Sequence, residues 1–361
     1  MALRRSTRLA SLPNINPVGT TALKVTRVQN NGVSKHRKPP TKKPAPKVVE
    51  AKPETSSSYW SPEPPTTNPL NDRLLTPPPL DRPVDPHRTN VTLLTPHGSS
   101  VVAYPLSVED ASPSKTGLPR PNATTGTLLD EAIAHLIAID PRLKKVIDEN
   151  PCPIFSPAGL AEQIEPFNSL TSSIIGQQVS GAAAKSIRNK FLALFDLQNS
   201  VDGANPERSL FPLPEDVARC DIATLRTAGL SQRKAEYIQG LAEKFTSGEL
   251  SAQMLARASD EELFEKLIAV RGLGKWSVEM FAVFALKRID IFSVGDLGVQ
   301  RGCAAFSGRD VSKLKAKGGG KFKYMAEKDM LELAAKFAPF RSLFMWYMWR
   351  VENVDIAVLT S

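Results

Sequence analysis

Two stretches lying 43 positions apart match at Gly, Leu and Glu in register: Gly229-Leu230-Ser231-Gln232-Arg233-Lys234-Ala235-Glu236-Tyr237 and Gly272-Leu273-Gly274-Lys275-Trp276-Ser277-Val278-Glu279-Met280. Each follows a short amphipathic segment, residues 223–227 in the first and 260–270 in the second, so the chain is expected to hold two related helix-turn-helix units. Two copies are too few for a solenoid. In the second unit Leu263, Leu267 and Val270 keep helical spacing, Arg271-Gly272-Leu273-Gly274 interrupts it, and apolar periodicity resumes over 276–286. Gly272 and Gly274 can take positive φ and admit another backbone closely, while the free N–H groups opening the next helix carry the positive end of its dipole. That arrangement suits a phosphate, and contacts made by main-chain amides would carry no sequence information. The same glycines also suit a bare αα-hairpin that binds nothing. The turn by itself leaves both readings open.

From Thr127 onward the pattern is helical, with a period of about 3.6 over 128–139, 141–148, 167–177, 182–195, 221–227, 232–245, 260–270, 275–287, 297–306, 328–337 and 341–352. No strand is expected between these segments. Ser259 followed by Glu262 forms a capping box that sets the start of the first hairpin helix. The expected architecture is all-α, two helical lobes with a cleft between them. Lys and Glu punctuate every apolar run, so none is expected to span a membrane.

The formal charge of +9 and pI of about 9.4 invite a nucleic-acid partner, yet residues 1–49 carry eleven Lys or Arg and no Asp or Glu. Subtracting those eleven leaves −2 for the remainder, so overall basicity reports the N-terminal tail and does not locate a binding face. Residues 1–122 hold 21 of the 30 prolines, which predicts a disordered, Pro-rich, basic tail ahead of a folded domain at 123–361. The Lys/Arg/Pro run at 35–47 reads as a nuclear address. A mitochondrial transit peptide is the rival, but Pro13 and Pro17 cut short any amphipathic helix there. Residues 93–104 have some β-branched character and suit an extended arm along the domain. Cys152, Cys220 and Cys303 are far apart and without C-x-x-C spacing, so neither a zinc site nor a disulfide framework is expected.

Five blocks occur in order: Ser172-Ser173-Ile174-Ile175-Gly176-Gln177-Gln178-Val179-Ser180; Ala228-Gly229-Leu230-Ser231 with Lys234 and Tyr237; Val270-Arg271-Gly272-Leu273-Gly274-Lys275-Trp276-Ser277; Asp296-Leu297-Gly298 with Arg301-Gly302; and Pro339-Phe340-Arg341-Ser342 through Trp349-Arg350. In these blocks the chain resembles the helix-hairpin-helix superfamily of DNA glycosylases, and within it the 3-methyladenine (alkylated-base) branch, over roughly residues 125–361. The resemblance implies base-excision repair of damaged double-stranded DNA by a monomer that requires no cofactor. Relatives of endonuclease III carry four clustered cysteines for an iron-sulfur cluster, and this sequence lacks them.

Asp296 precedes Leu297-Gly298-Val299, where an Asp is a common helix cap. The resemblance assigns it the catalytic carboxylate, and a cap held rigidly at a helix mouth is compatible with that role. Cleavage of an N-glycosidic bond builds oxocarbenium character on the sugar, which a fixed carboxylate stabilises while orienting or deprotonating water. Asp290 is expected to be structural. Bifunctional relatives place a Schiff-base lysine immediately before the Ser of the hairpin helix, and here that position is Trp276. Lys275 is rotated by about 100° to another face and reads as a phosphate contact. A monofunctional hydrolase is therefore expected.

Trp349 matches the base-pocket tryptophan of the alkyladenine enzymes, with Trp276 and Phe340 as further lining candidates. Cationic purines such as 3-methyladenine and 7-methylguanine would be held there by cation–π attraction. Gly272, Leu273, Gly274, Lys275 and Ser277 are the expected DNA-backbone contacts. By the resemblance, Gln177, Gln178 and Ser180 belong to the turn that fills the gap left by a flipped base, the alternative being that Gln177 and Gln178 simply cap the preceding helix. The resemblance also implies a Na+ or K+ ion held by carbonyls near Val270 and Gly272. The segment 312–323, with five lysines around Gly318-Gly319-Gly320, reads as a solvated, mobile insertion, the alternative being that its lysines add salt-dependent attraction to DNA. Rival readings are a non-catalytic helix-hairpin-helix DNA-binding protein, a bifunctional oxidised-base glycosylase/lyase, and an all-helical interaction scaffold.

Overall fold

Apolar side chains upstream of the expected domain boundary supply part of the core. Val84, Val91, Leu93, Tyr104 and Ala111 are all buried. The computed structural model describes residues 80–351 except Leu106, 118–121, 196–210 and Gly319, so the basic run at 35–47 lies outside the described residues. Strand β1 (Thr92–Leu94) pairs antiparallel with β2 (Ser100–Val101) and parallel with β3 (Gln163–Ile164), Leu93 facing both Val101 and Ile164. Asn90 donates from Nδ2 to the Lys287 carbonyl, and Arg82 donates from Nη2 to that of Leu160, tying the segment to distant parts of the chain. The boundary expected at 122/123 is thus corrected: residues from 80 onward pack into the folded body, because their apolar side chains have a core to enter. The otherwise helical architecture also carries this small sheet, whose strands are too short to display an alternating period.

Helices α1 (Pro113–Thr116), α2 (Leu128–Ile139), α3 (Leu143–Glu149) and α4 (Pro157–Leu160) precede β3. Then come α5 (Pro166–Gly176), α6 (Gly181–Ala193), α7 (Pro214–Arg219), α8 (Ile222–Thr227) and α9 (Gln232–Thr246). Helix α10 (Ala252–Arg257) leads into α11 (Asp260–Ile268) and α12 (Lys275–Phe284), the helices flanking the Gly-Leu-Gly turn. The chain continues through α13 (Leu297–Phe306), α14 (Val311–Ala316), α15 (Glu327–Ala335) and α16 (Arg341–Val351).

Caps explain several of these limits. Ser259 and Glu262 form the reciprocal capping box at α11, Ser231 caps α9, and Glu165 accepts from the Phe167 and Asn168 amides to open α5. Helix α12 stops before the expected 287 because Lys287 takes φ 53° and turns its side chain into the body, where its ammonium meets Glu162 at 2.9 Å. Helices α5 to α9 pack on one another as one group, and α13 with α16, α3 with α2 and α16, and α15 with α16 form a second. The α11–α12 hairpin reaches the first group through α5. Among the described residues no helix is long and apolar enough to cross a membrane.

Candidate active site and nucleic-acid interface

Asp296 caps α13, its Oδ1 accepting from the Val299 amide at 2.8 Å. Two indoles converge on the same carboxylate: Trp349 Nε1 donates to Oδ1 at 2.9 Å and Trp276 Nε1 donates to Oδ2 at 2.8 Å. A carboxylate offers about two acceptor sites per oxygen, so Oδ1 is filled and Oδ2 keeps one. The three side chains come from three elements: the first turn of α12, the mouth of α13 and the last turn of α16.

Close contact between α13 and α16 makes this convergence possible. A Cβ on Gly302 would sit 1.9 Å from the Met348 carbonyl oxygen, and one on Gly298 would sit 2.7 Å from Trp349 Cδ1. One turn apart on α13, the two glycines let α16 approach and let the Trp349 ring lie over the helix start. Trp349 is half-buried, one ring face stacked on Phe284 at 5.7 Å, whereas Trp276 is 40% exposed. Of the two rings, Trp276 is the more open to a ligand. Phe340 meets His135 of α2 edge-on, and no hydrogen bond or ring contact among the described residues brings it to the Asp296 cluster. Asp290 holds Arg341 through two bonds of 2.7 and 2.8 Å, fixing the start of α16, which is a structural position.

Behind the cluster, the buried Glu279 carboxylate accepts from Ser293 Oγ at 2.5 Å, with Lys275 Nζ 3.9 Å from its other oxygen. Burial raises the Glu279 pKa, the Ser293 hydroxyl and Lys275 pull it back, and the Asp296 charge adds to the rise. Sequence reasoning noted Glu279 only as a matching position of the two units, and missed its place behind Asp296 and the packing role of Gly298 and Gly302. The Gly-x-x-x-Gly spacing on α13 was the available signal for the latter.

The two related units share their backbone. Gly229 and Gly272 take φ of 96° and 95°, a conformation that favours glycine, and at Gly272 any Cβ would also strike the Tyr237 ring. They differ at the next helix mouth: Ser231 closes the first with its hydroxyl, while Gly274 caps α12 with no side chain. The opening amides of α12 are left without a side-chain cap, beside an exposed Lys275. Leu273 and Ser277 are buried, so the exposed residues of the turn and the helix start are Arg271, Gly274, Lys275 and Trp276.

The α5–α6 turn is tied to this hairpin. Gln177 Nε2 donates to the Gly272 carbonyl at 2.9 Å, and Lys234 Nζ donates to the Ile175 and Gln177 carbonyls at 2.8 and 2.7 Å. The Gln177 amide is therefore engaged within the protein, and Gln178, exposed with φ 56°, is the residue at the tip of the turn. Ser180 caps α6 through the Ala183 amide. The Val270 carbonyl accepts from the Leu273 amide, so it and the Gly272 carbonyl each retain one lone pair.

Residues 171–317 match the HhH-GPD superfamily of base excision DNA repair proteins. A DNA-3-methyladenine glycosylase of Saccharomyces cerevisiae is 32% identical over 247 residues, which cover 62% of this chain and 80% of that protein. The chain belongs to the HhH-GPD superfamily, in its DNA-3-methyladenine glycosylase branch. DNA-3-methyladenine glycosylase 1 of Schizosaccharomyces pombe is 29% identical over 63% of this chain and 90% of its own length. The crystal structure of a DNA-3-methyladenine glycosidase from Bacillus halodurans, 32% identical, covers 61% of this chain and 88% of that one with a TM-score of 0.46. The superfamily match takes in the α5–α6 turn, the hairpin and Asp296, and leaves Trp349 beyond its end.

Proposed function

We propose that this chain is a monofunctional DNA glycosylase that flips alkylated purines, such as 3-methyladenine and 7-methylguanine, out of double-stranded DNA and releases them by hydrolysis. The observation that carries the proposal is the Asp296 carboxylate, fixed by two indole N–H groups and one amide, on the helix that follows a hairpin whose opening amides have no side-chain cap. Those amides and Lys275 hold the phosphate backbone. Gln178 fills the gap left in the stack, and the flipped base lies against Trp276 and the free edge of Trp349. As the glycosidic bond lengthens, the carboxylate stabilises positive charge on the sugar, and the open site on Oδ2 orients the water that attacks it. An N-alkylated purine already carries positive charge, so it leaves without a strong general acid and is attracted to an indole face. The position of the lyase nucleophile is taken by Trp276, and Lys275 points toward Glu279, which supports hydrolysis without Schiff-base chemistry.

The proposal extends to a monomer acting in the nucleus, with Na+ or K+ on the free lone pairs of the Val270 and Gly272 carbonyls. The decisive experiment incubates the full chain with duplex DNA methylated by dimethyl sulfate, analyses the released bases, and repeats the reaction under borohydride. Free methylated purines with no covalent protein–DNA adduct are expected. Binding without release would select the non-catalytic reading, and an adduct the bifunctional one.

A further inference from the structure

The segment 311–323 contains five lysines and no carboxylate, on a body whose charge outside residues 1–49 is close to neutral. Its first half is helical, where an insertion without secondary structure was expected. Residues 311–316 form α14, capped by Asp310, and the segment ends on Tyr324 and Met325, which are buried. Gln300, one turn beyond Asp296 on α13, donates from Nε2 both to the Val294 carbonyl and to that of Lys321, each at 3.1 Å. The Arg301 guanidinium lies over the Tyr324 ring, and Arg309 pairs with Asp329 at 2.8 Å, closing the base of the element. The lysines are thus presented from a folded element attached to the helix that carries Asp296.

Lys313 pairs with Asp310 at 3.2 Å, while Lys315, Lys317, Lys321 and Lys323 have no carboxylate partner among the described residues. Lys321 and Lys323 hold their ammonium groups 5.2 Å from the Phe322 and Tyr324 ring centres, which limits where those charges go. Crowded like charges repel, and a polyanion relieves them. The superfamily match ends at residue 317, so membership assigns no role to the rest of the element.

We infer that Lys315, Lys317, Lys321 and Lys323 form a second contact with the phosphate backbone of the same duplex, reached when the target nucleotide faces Asp296. This rests on the glycosylase reading only for the position of the DNA. The partner is recognised by charge alone, so the contact is independent of sequence and sensitive to salt.

The test compares the full chain with a variant carrying Lys315→Gln, Lys317→Gln, Lys321→Gln and Lys323→Gln, titrating duplex DNA across a range of salt. Loss of each phosphate contact lowers the slope of log K against log salt by about 0.9, so losing all four lowers it by roughly 3.6. Arg at the same four positions retains the slope, and Gln in place of Lys144 and Lys145 on α3 leaves it unchanged. Should the four Gln substitutions disturb folding, Lys315→Gln with Lys317→Gln, exposed on the last turn and at the C-cap of α14, is expected to lower the slope by about one to two. An unchanged slope and affinity in a folded variant would overturn the inference, even if the wild type releases bases. A lowered slope with no base release from either protein would support this surface and remove the glycosylase reading.

Discussion

Trp276 Nε1 donates to Asp296 Oδ2 across 2.8 Å, although its ring is 40% exposed and contributes little to the core. Replacing Trp276 with Phe keeps a ring at the site and removes the donor. Hydrogen bonds to charged groups contribute about 1.5–3 kcal/mol, so single-turnover base release should slow by roughly 10- to 100-fold with thermal stability almost unchanged. Trp349→Phe should slow release as well, and should also lower the melting temperature, because Trp349 packs on Phe284. Equal rates for Trp276→Phe and wild type would remove the indole from the site's chemistry.

The two hairpin units differ at their helix mouths, Ser231 against Gly274, and this can be tested by making them alike. A Cβ at Gly274 meets nothing within 4 Å, and its φ of −89° suits any residue. Gly274→Ser should stabilise the protein by a few tenths of a kcal/mol through a new cap. It should also weaken DNA binding by about 1 kcal/mol, since the hydroxyl competes with phosphate for the α12 amides. Denaturant titration and DNA anisotropy on the same variant read both effects, and tighter DNA binding would contradict this account of the hairpin.

Gly302 allows α16 to approach α13, and a methyl there would lie 1.9 Å from the Met348 carbonyl oxygen. The main chains have to separate to admit it. Gly302→Ala should cost on the order of 3 kcal/mol and carry Trp349 away from Asp296, lowering both stability and activity. Thermal denaturation with base release on the folded fraction would check it.

Glu165 caps α5 from a buried position, and burial raises its pKa to about 7 against the pull of two backbone amides. The folded state holds this proton where the unfolded chain has lost it. Its contribution to stability is full below the ordinary Glu value near 4.5 and falls as pH rises toward 7. Urea unfolding between pH 4.5 and 8 should show this declining component in the wild type and not in Glu165→Gln. Identical pH dependence would show that the folded protein leaves the Glu165 pKa at its ordinary value.

What the sequence made legible was local. Helices α2 and α13 begin and end where the periodicity placed them, and the capping box of α11 is present, because caps and helical periods involve residues within a few positions of each other. The turn glycines at 229 and 272 were readable for the same reason. Contacts that join distant segments left no such trace. Gln177 and Gly272 stand 95 positions apart, so nothing near Gln177 showed that its amide would tie two turns together. Two- and three-residue strands are too short for an alternating pattern, which is why the sheet went unread and why only residues 93–104 of the packed segment from residue 80 were read, as an extended arm. Nothing in the sequence at 312–323 showed its anchors, since Gln300, Arg301 and Arg309 lie on or just beyond α13.

The central claim is that the charge of Asp296, and not only its capping bond, acts on the sugar of a flipped nucleotide. Asp296→Asn is suited to test it, since Asn caps a helix as well as Asp does and can keep the Val299 bond. Measured under single-turnover conditions on methylated duplex DNA, the variant should fold and bind DNA like the wild type while releasing base at least 10²- to 10³-fold more slowly, the size of about one lost electrostatic contact in a dry site. Release at the wild-type rate by a folded Asp296→Asn protein would contradict the account.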